Sequence, residues 1–63
     1  MTRDKLIRDK ISEKVYEEVG KKVRNVFYLT SSGDKVYYCI VGNNNNIFGV
    51  ASVDMKDNIE VIV

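Results

Sequence analysis

Few residues in this chain of 63 could carry out catalytic or metal chemistry. Cys39 is the single thiol, and a nucleophilic thiol usually relies on a neighbouring histidine, which this sequence does not contain. The same counts leave no Cys and His set for a zinc site within one chain and no partner for an internal disulfide. We therefore expect Cys39 to pack as a small apolar side chain, and we predict no catalytic residue, no metal and no cofactor.

Acid–base chemistry would need paired carboxylates, and outside the predicted helix these could come only from Asp34, Asp54, Asp57 and Glu60. All four lie in or beside predicted turns, where a solvated carboxylate normally caps the backbone. The spacing of the acidic residues does not match a calcium loop, and segment 42–46 lacks the signature of a phosphate loop. The available chemistry favours a protein that is not an enzyme.

The net charge of +1, from ten basic and nine acidic residues, shows no bias toward nucleic acid. No apolar stretch approaches the length of a membrane span, and the charged N-terminus does not resemble a signal peptide. An unpaired cysteine is typical of a reducing compartment, so we expect a cytoplasmic protein. The abundance of Lys, Asn and Ile, without Pro or Trp, is typical of an AT-rich genome such as that of a virus or mobile element.

One amphipathic helix is predicted over residues 3–19. Its apolar stripe recurs every four residues, at Ile7, Ile11, Val15 and Val19. Thr2 is the expected N-cap, and Gly20 occupies the position after the last turn where a left-handed residue usually ends a helix.

The rest of the chain predicts strands over about 23–30, 35–41, 47–53 and 59–63, because these segments are rich in β-branched and aromatic residues. The intervening segments contain Gly, Asn, Asp and Ser, which are typical of turns. Residues 1–63 thus form a single small α+β domain, with one N-terminal helix packed on a three- or four-stranded antiparallel meander sheet.

Hairpin loops of even length fix which side chains share a face of the sheet. On that assumption the helix packs on a face formed by Val23, Asn25, Phe27, Leu29, Val36, Tyr38, Ile40, Ile47, Gly49, Ala51 and Val53. Gly49 and Ala51 are small, which would let the helix lie close to the sheet.

The opposite face is also apolar, although a single helix can cover only one side of the sheet. We predict that this uncovered face binds protein through Val26, Tyr28, Tyr37, Cys39, Val41, Phe48 and Val50. Its occupant would be a protein partner, with a homodimer favoured; the alternative is a face of tyrosine rings that simply stays in water. The last strand offers an exposed edge that could pair with a partner strand or remain an ordinary edge.

The order of helix, glycine and meander resembles small PepSY-like and cystatin-like modules. The resemblance extends from Val15 to Val63, through the sequences VYEEVG, SGDKVYY and VDMKDNIEVI. It implies a non-enzymatic binder or inhibitor, and it transfers no functional residue to this chain.

The sequence therefore predicts a small non-enzymatic protein-binding module that occupies a partner's surface. An inhibitor of a host enzyme or defence complex, of viral or mobile-element origin, is one such module. Two alternatives stay open. One is a single-stranded nucleic-acid-binding protein that uses Arg24 with Tyr28, Tyr37 and Phe48, although the small surplus of positive charge disfavours it. The other is a structural subunit of a larger assembly. The sequence shows no membrane association and no small-molecule substrate.

Overall fold

A computed structural model describes residues 3–63 and consists of one helix and a four-stranded antiparallel sheet. The elements are α1 (Arg3–Val19), β1 (Val23–Ser32), β2 (Lys35–Gly42), β3 (Ile47–Val53) and β4 (Ile59–Ile62). The strands lie in the order β1-β2-β3-β4, as expected for a meander. The predicted α+β class and its arrangement are confirmed.

Helix α1 buries its predicted stripe. Ile7, Ile11 and Val15 are buried, and Val19 packs against the same cluster from a partly exposed position. The helix ends at Gly20, whose φ of 76° lies in the left-handed region and whose N–H donates to the Tyr16 carbonyl at 3.0 Å. The predicted N-cap, Thr2, lies outside the described residues.

The first two turns use the residues expected of them. Gly33 has φ of 61° in a turn shorter than predicted, because Ser32 and Lys35 are already paired in the sheet. In the second turn Asn45 takes φ of 63° and donates its N–H to the Gly42 carbonyl at 3.0 Å.

The third turn is organised by one carboxylate. Asp54 Oδ1 accepts hydrogen bonds from the backbone N–H groups of Lys56 and Asn58, both at 2.9 Å, and Oδ2 accepts from the Asn58 amide at 3.1 Å. The bonds from Asn58, backbone and side chain, favour the ionised form and lower the pKa of Asp54. This carboxylate therefore caps a turn, as its position in the sequence predicts.

The core lies between α1 and one face of the sheet. Its buried members are Ile7, Ile11, Val15, Val26, Tyr38, Ile40, Ala51 and Val53. The partly buried residues packed against them are Val19, Val23, Val36, Phe48, Ile59 and Val61. Strand β4, whose facing the sequence left open, thus turns Ile59 and Val61 toward the helix.

Three extra residues in the strands change the predicted facing. The register between β1 and β2 shifts at Arg24 and at Leu29, and the register between β2 and β3 shifts at Phe48. Each extra residue is a β-bulge, which reverses the side of the sheet to which the following side chains point. The even-loop rule holds next to the first hairpin, fails from Tyr28 back to Asn25, and holds again at Val23, where the second bulge restores the predicted side.

The predicted facing is consequently wrong for three residues of the predicted binding face. Val26 is only 2% exposed and belongs to the core. Tyr28 pairs with Tyr38, so it lies on the helix side, where the two rings meet edge to face with centroids 6.3 Å apart. Phe48 packs against the core.

Several residues of β1 and of the start of β3 were predicted to face the helix but do not. Phe27 was expected to meet the helix, but it pairs with Cys39 on the opposite side and is 50% exposed. Asn25 and Ile47 pair with Val41 from its two sides and are likewise turned away from α1. Leu29, the bulge residue, is half exposed and lies outside the core.

Gly49 is crowded by the end of the chain, and this differs from its predicted role beneath the helix. A Cβ atom on Gly49 would lie 2.5 Å from a Val63 side-chain carbon and 2.8 Å from the Ile62 carbonyl oxygen. Ala51 is fully buried in the core that α1 covers. The small residues of β3 thus accommodate two different neighbours.

Candidate functional site: the outer face of the sheet

The side of the sheet turned away from α1 is the candidate site, and we call it the outer face. The pairing of the strands assigns to it Asn25, Phe27, Thr30, Ser32, Lys35, Tyr37, Cys39, Val41, Ile47, Val50, Ser52, Glu60 and Ile62. Within residues 3–63 no helix or strand packs over this face, since the helix lies on the other side. Four of the seven predicted binding residues belong to it: Tyr37, Cys39, Val41 and Val50.

The exposed apolar surface of the outer face lies around its periphery. Phe27 is 50% exposed, Ile47 64% and Ile62 55%, and these residues come from three different strands. Tyr37 and Val50 are partly exposed between them. A partner that docks on this face would therefore meet these five side chains first.

The centre of the outer face is shielded by its own neighbours. Cys39 and Val41 are buried, and so is Ser52, although no other element covers this side of the sheet. They are enclosed because larger side chains stand beside them on the same face, such as Phe27 and Val50, the direct partners of Cys39. Cys39 is thus a packed side chain rather than a free surface thiol.

The outer face carries few charges. Lys35 and Glu60 are the charged residues among its thirteen paired positions; they are opposite in sign, and they lie at the start of β2 and on the edge strand β4. By contrast, α1 carries ten of the chain's nineteen charged side chains. A neutral apolar surface with partly exposed aromatic rings has the composition of the core of a protein interface.

The two edges of the sheet are less suited to a partner than its face. Strand β1 is ten residues long, but its register is irregular at Arg24 and Leu29, and Asn25 Oδ1 accepts the backbone N–H of Val26 at 2.9 Å. Bulges and self-bonded edge groups hinder the addition of another strand. Strand β4 is an edge strand, as predicted, yet it contains only four residues.

A concavity of about 460 Å³ lies at the end of the molecule where α1 begins. Its apolar floor includes Ile7 and Tyr38, and three aspartates, Asp4, Asp34 and Asp54, stand around it. Two of these carboxylates are already engaged, because Asp4 pairs with Arg8 at 2.9 Å and Asp54 caps its own turn. This concavity therefore offers little unused charge to a ligand.

A second groove, of about 400 Å³, lies where α1 ends. Lys21 and Lys22 border it together with asparagines of the second turn, and Phe48 forms part of its wall. The Lys21 ammonium stands 5.6 Å from the centre of the Phe48 ring, and the ring lies against Gly42, where a Cβ atom would approach it to 3.2 Å. The ring is thus already covered on the groove side by a side chain of the protein.

The residues proposed for nucleic-acid stacking do not share a surface. Tyr37 lies on the outer face, whereas Tyr28 and Phe48 lie on the helix side. Arg24 borders the groove between α1 and β1, near Arg8 and Asp9. The structure therefore does not assemble the basic and aromatic platform that this alternative requires.

Sequence reasoning missed Phe27, Ile47 and Ile62 as members of the outer face. A signal for the first was present in the spacing of β1, where two valines, Val23 and Val26, are three residues apart. Strict alternation would place them on opposite sides, whereas an extra residue between them places both toward the helix, as observed.

Comparison with known proteins finds no match: no family model, no curated protein and no solved structure aligns significantly with the chain. The resemblance to PepSY-like and cystatin-like modules stays a prediction. Among residues 3–63 no helix is long and apolar enough to cross a membrane. The same residues contain no group of three or more Cys, Asp or Glu side chains placed to hold a metal ion.

Proposed function

We propose that this protein is a non-enzymatic binding module that acts by presenting the outer face of its sheet to another protein. The observation that carries the proposal is a neutral, apolar sheet face with large exposed side chains, opposite a face that the helix already covers. Large exposed apolar side chains that share one face of a small domain, as Phe27, Ile47 and Ile62 do, are typical of an interaction site.

The anchors of this proposed interface are aromatic and aliphatic. Phe27 and Tyr37 supply rings, while Ile47, Val50 and Ile62 supply aliphatic contacts from the neighbouring strands. Cys39 and Val41 support these side chains from beneath instead of touching the partner. A module of this kind works by occupying a partner's surface, and inhibition of a host enzyme or defence complex is the form of this action that we favour.

Site-specific photocrosslinking in cells of the source organism tests the proposal. A benzophenone amino acid replaces Tyr37 on the outer face, and in a matched control it replaces Tyr16, which is 55% exposed on α1. We expect position 37 to give a discrete crosslinked protein that position 16 does not give. The same product from both positions, or none from position 37, would refute a specific interface on the outer face.

The same experiment distinguishes an inhibitor from a structural subunit. If the crosslinked partner is an enzyme, its activity should fall when the purified module is added, and the variant Tyr37→Asp should leave that activity unchanged. If the partner is a component of an assembly, the variant should instead release the module from the complex. Circular dichroism of the variant should show that it remains folded.

A further inference from the structure

We infer that the occupant of the outer face is a second copy of the chain, so that two molecules pack sheet against sheet about a two-fold axis. This inference rests on the proposed function, because it names the partner of the same surface. It also specifies the geometry, with faces in contact and edges left free.

The outer face carries few charges, which favours a second copy as its occupant. A two-fold interface must match itself, and like charges brought opposite each other are the commonest obstacle to such a match. Lys35 and Glu60 are the charged residues among the paired outer-face positions. They are opposite in sign, and they lie at the start of β2 and at the β4 edge, away from the central pair of Cys39 and Val50. Two copies can therefore meet over the central strands without placing like charges together.

The area of the outer face is close to the minimum that a specific interface needs. Four strands of ten, eight, seven and four residues, spaced about 4.8 Å apart and rising about 3.3 Å per residue, present a face of roughly 460 Å² before surface relief is counted. A specific interface buries at least about 600 Å² on each partner. That is roughly one seventh of the protein's total accessible surface of 4440 Å². The outer face thus lies at the lower limit for a dimer, and we expect a dissociation constant between about 10 µM and 1 mM.

Two sheets could instead join by their edges, but neither edge of this sheet is well suited to pairing. In β1 the Val26 N–H is held by Asn25 Oδ1, and the register irregularities at Arg24 and Leu29 interrupt the line of free backbone groups. The other edge, β4, offers only four residues and carries Glu60. The faces are therefore the better surface for self-association.

Sedimentation equilibrium from low micromolar to about 1 mM protein tests the inference. We expect wild type to dimerise across this range, and Tyr37→Asp and Val50→Asp to sediment as folded monomers. Met55→Asp is the matched control, because Met55 is 77% exposed in the third turn, away from the outer face, and this variant should dimerise like wild type.

Two results would overturn the inference. They are a wild type that stays monomeric at 1 mM and a dimer that the two outer-face aspartates do not weaken. Photocrosslinking from position 37 distinguishes a failure of the dimer inference from a failure of the proposed function. A product of twice 7.2 kDa supports the second copy as the occupant and the outer face as a protein-binding surface. If the crosslinked product contains only a different protein, the dimer is refuted but the proposed function is not. If no crosslinked product forms, both are refuted.

Discussion

The placement of two adjacent residues in β1 gives the sharpest test of this structure, because sequence alternation and the observed register assign them to opposite sides. Val26 is 2% exposed and Phe27 is 50% exposed. We consider the two threonine variants Val26→Thr and Phe27→Thr. Both replace an apolar residue with the same β-branched one, so strand propensity changes little between them.

The expected losses of stability differ because one site is enclosed and the other is half solvated. In Val26→Thr a buried methyl is lost, worth about 0.8 kcal/mol, and a hydroxyl is placed among apolar side chains at a cost of about 1–3 kcal/mol. The total loss is about 2–4 kcal/mol. In Phe27→Thr half of the ring is already in water, so the loss is about 1 kcal/mol.

Urea unfolding followed by far-UV circular dichroism measures both losses. A domain of this length has a free energy of unfolding of about 3–9 kcal/mol, and its dependence on urea is about 1 kcal/mol per molar. The midpoint should therefore fall by about 2–4 M for Val26→Thr and by about 1 M for Phe27→Thr. The measurement belongs at low micromolar protein concentration, so that dimerisation does not contribute.

Equal midpoints, or a larger loss for Phe27→Thr, would refute the bulge at Leu29 and with it the assignment of the outer face. The same pair of variants separates stability from binding. Phe27→Thr should weaken the dimer although it remains folded, whereas Val26→Thr should weaken the fold itself.

Three further perturbations follow from the described geometry. Gly49→Ala should lower the melting temperature markedly, because the new Cβ would meet the Ile62 carbonyl oxygen at 2.8 Å and a backbone atom cannot easily move away. Gly20→Ala meets no atom within 4 Å, so it should cost only the strain of a left-handed residue, about 1 kcal/mol in chemical denaturation. The pKa of Asp54 is lowered in the folded protein, so its turn contributes stability above the ordinary aspartate pKa of about 4 and loses that contribution as the pH falls through the lower folded value. An NMR titration of Asp54 should show the lowered pKa. A pKa at or above the ordinary value would contradict this prediction.

Sequence reasoning predicted the elements of this fold because each has a local cause. The stripe of Ile7, Ile11 and Val15 predicts the helix, and Gly20 predicts where it ends, since both depend on residues within a few positions. The turns were predictable for the same reason: Gly33 and Asn45 adopt the left-handed backbone that their residue types tolerate.

The facing of β1 and of the start of β3 could not be predicted in the same way. A bulge changes side-chain direction through one extra residue, and Leu29 and Phe48 have no chemical property that marks them as that residue. What decides their placement is the competition among Val26, Phe27 and their neighbours for the space beneath α1. That competition depends on contacts between segments distant in the sequence, so a local pattern does not reveal it.

The proposal of a binding face nevertheless survives the correction, because it does not depend on the register. Every residue from Val36 to Val41 is apolar or tyrosine, so β2 presents apolar side chains on both sides of the sheet whichever way its neighbours are turned. The bulges moved Val26, Tyr28 and Phe48 to the helix side, and the outer face gained other apolar residues in exchange. A single helix can enclose only one side of such a strand. The protein encloses the centre of the other side with its own neighbouring side chains, and the exposed periphery is the surface that we propose for binding.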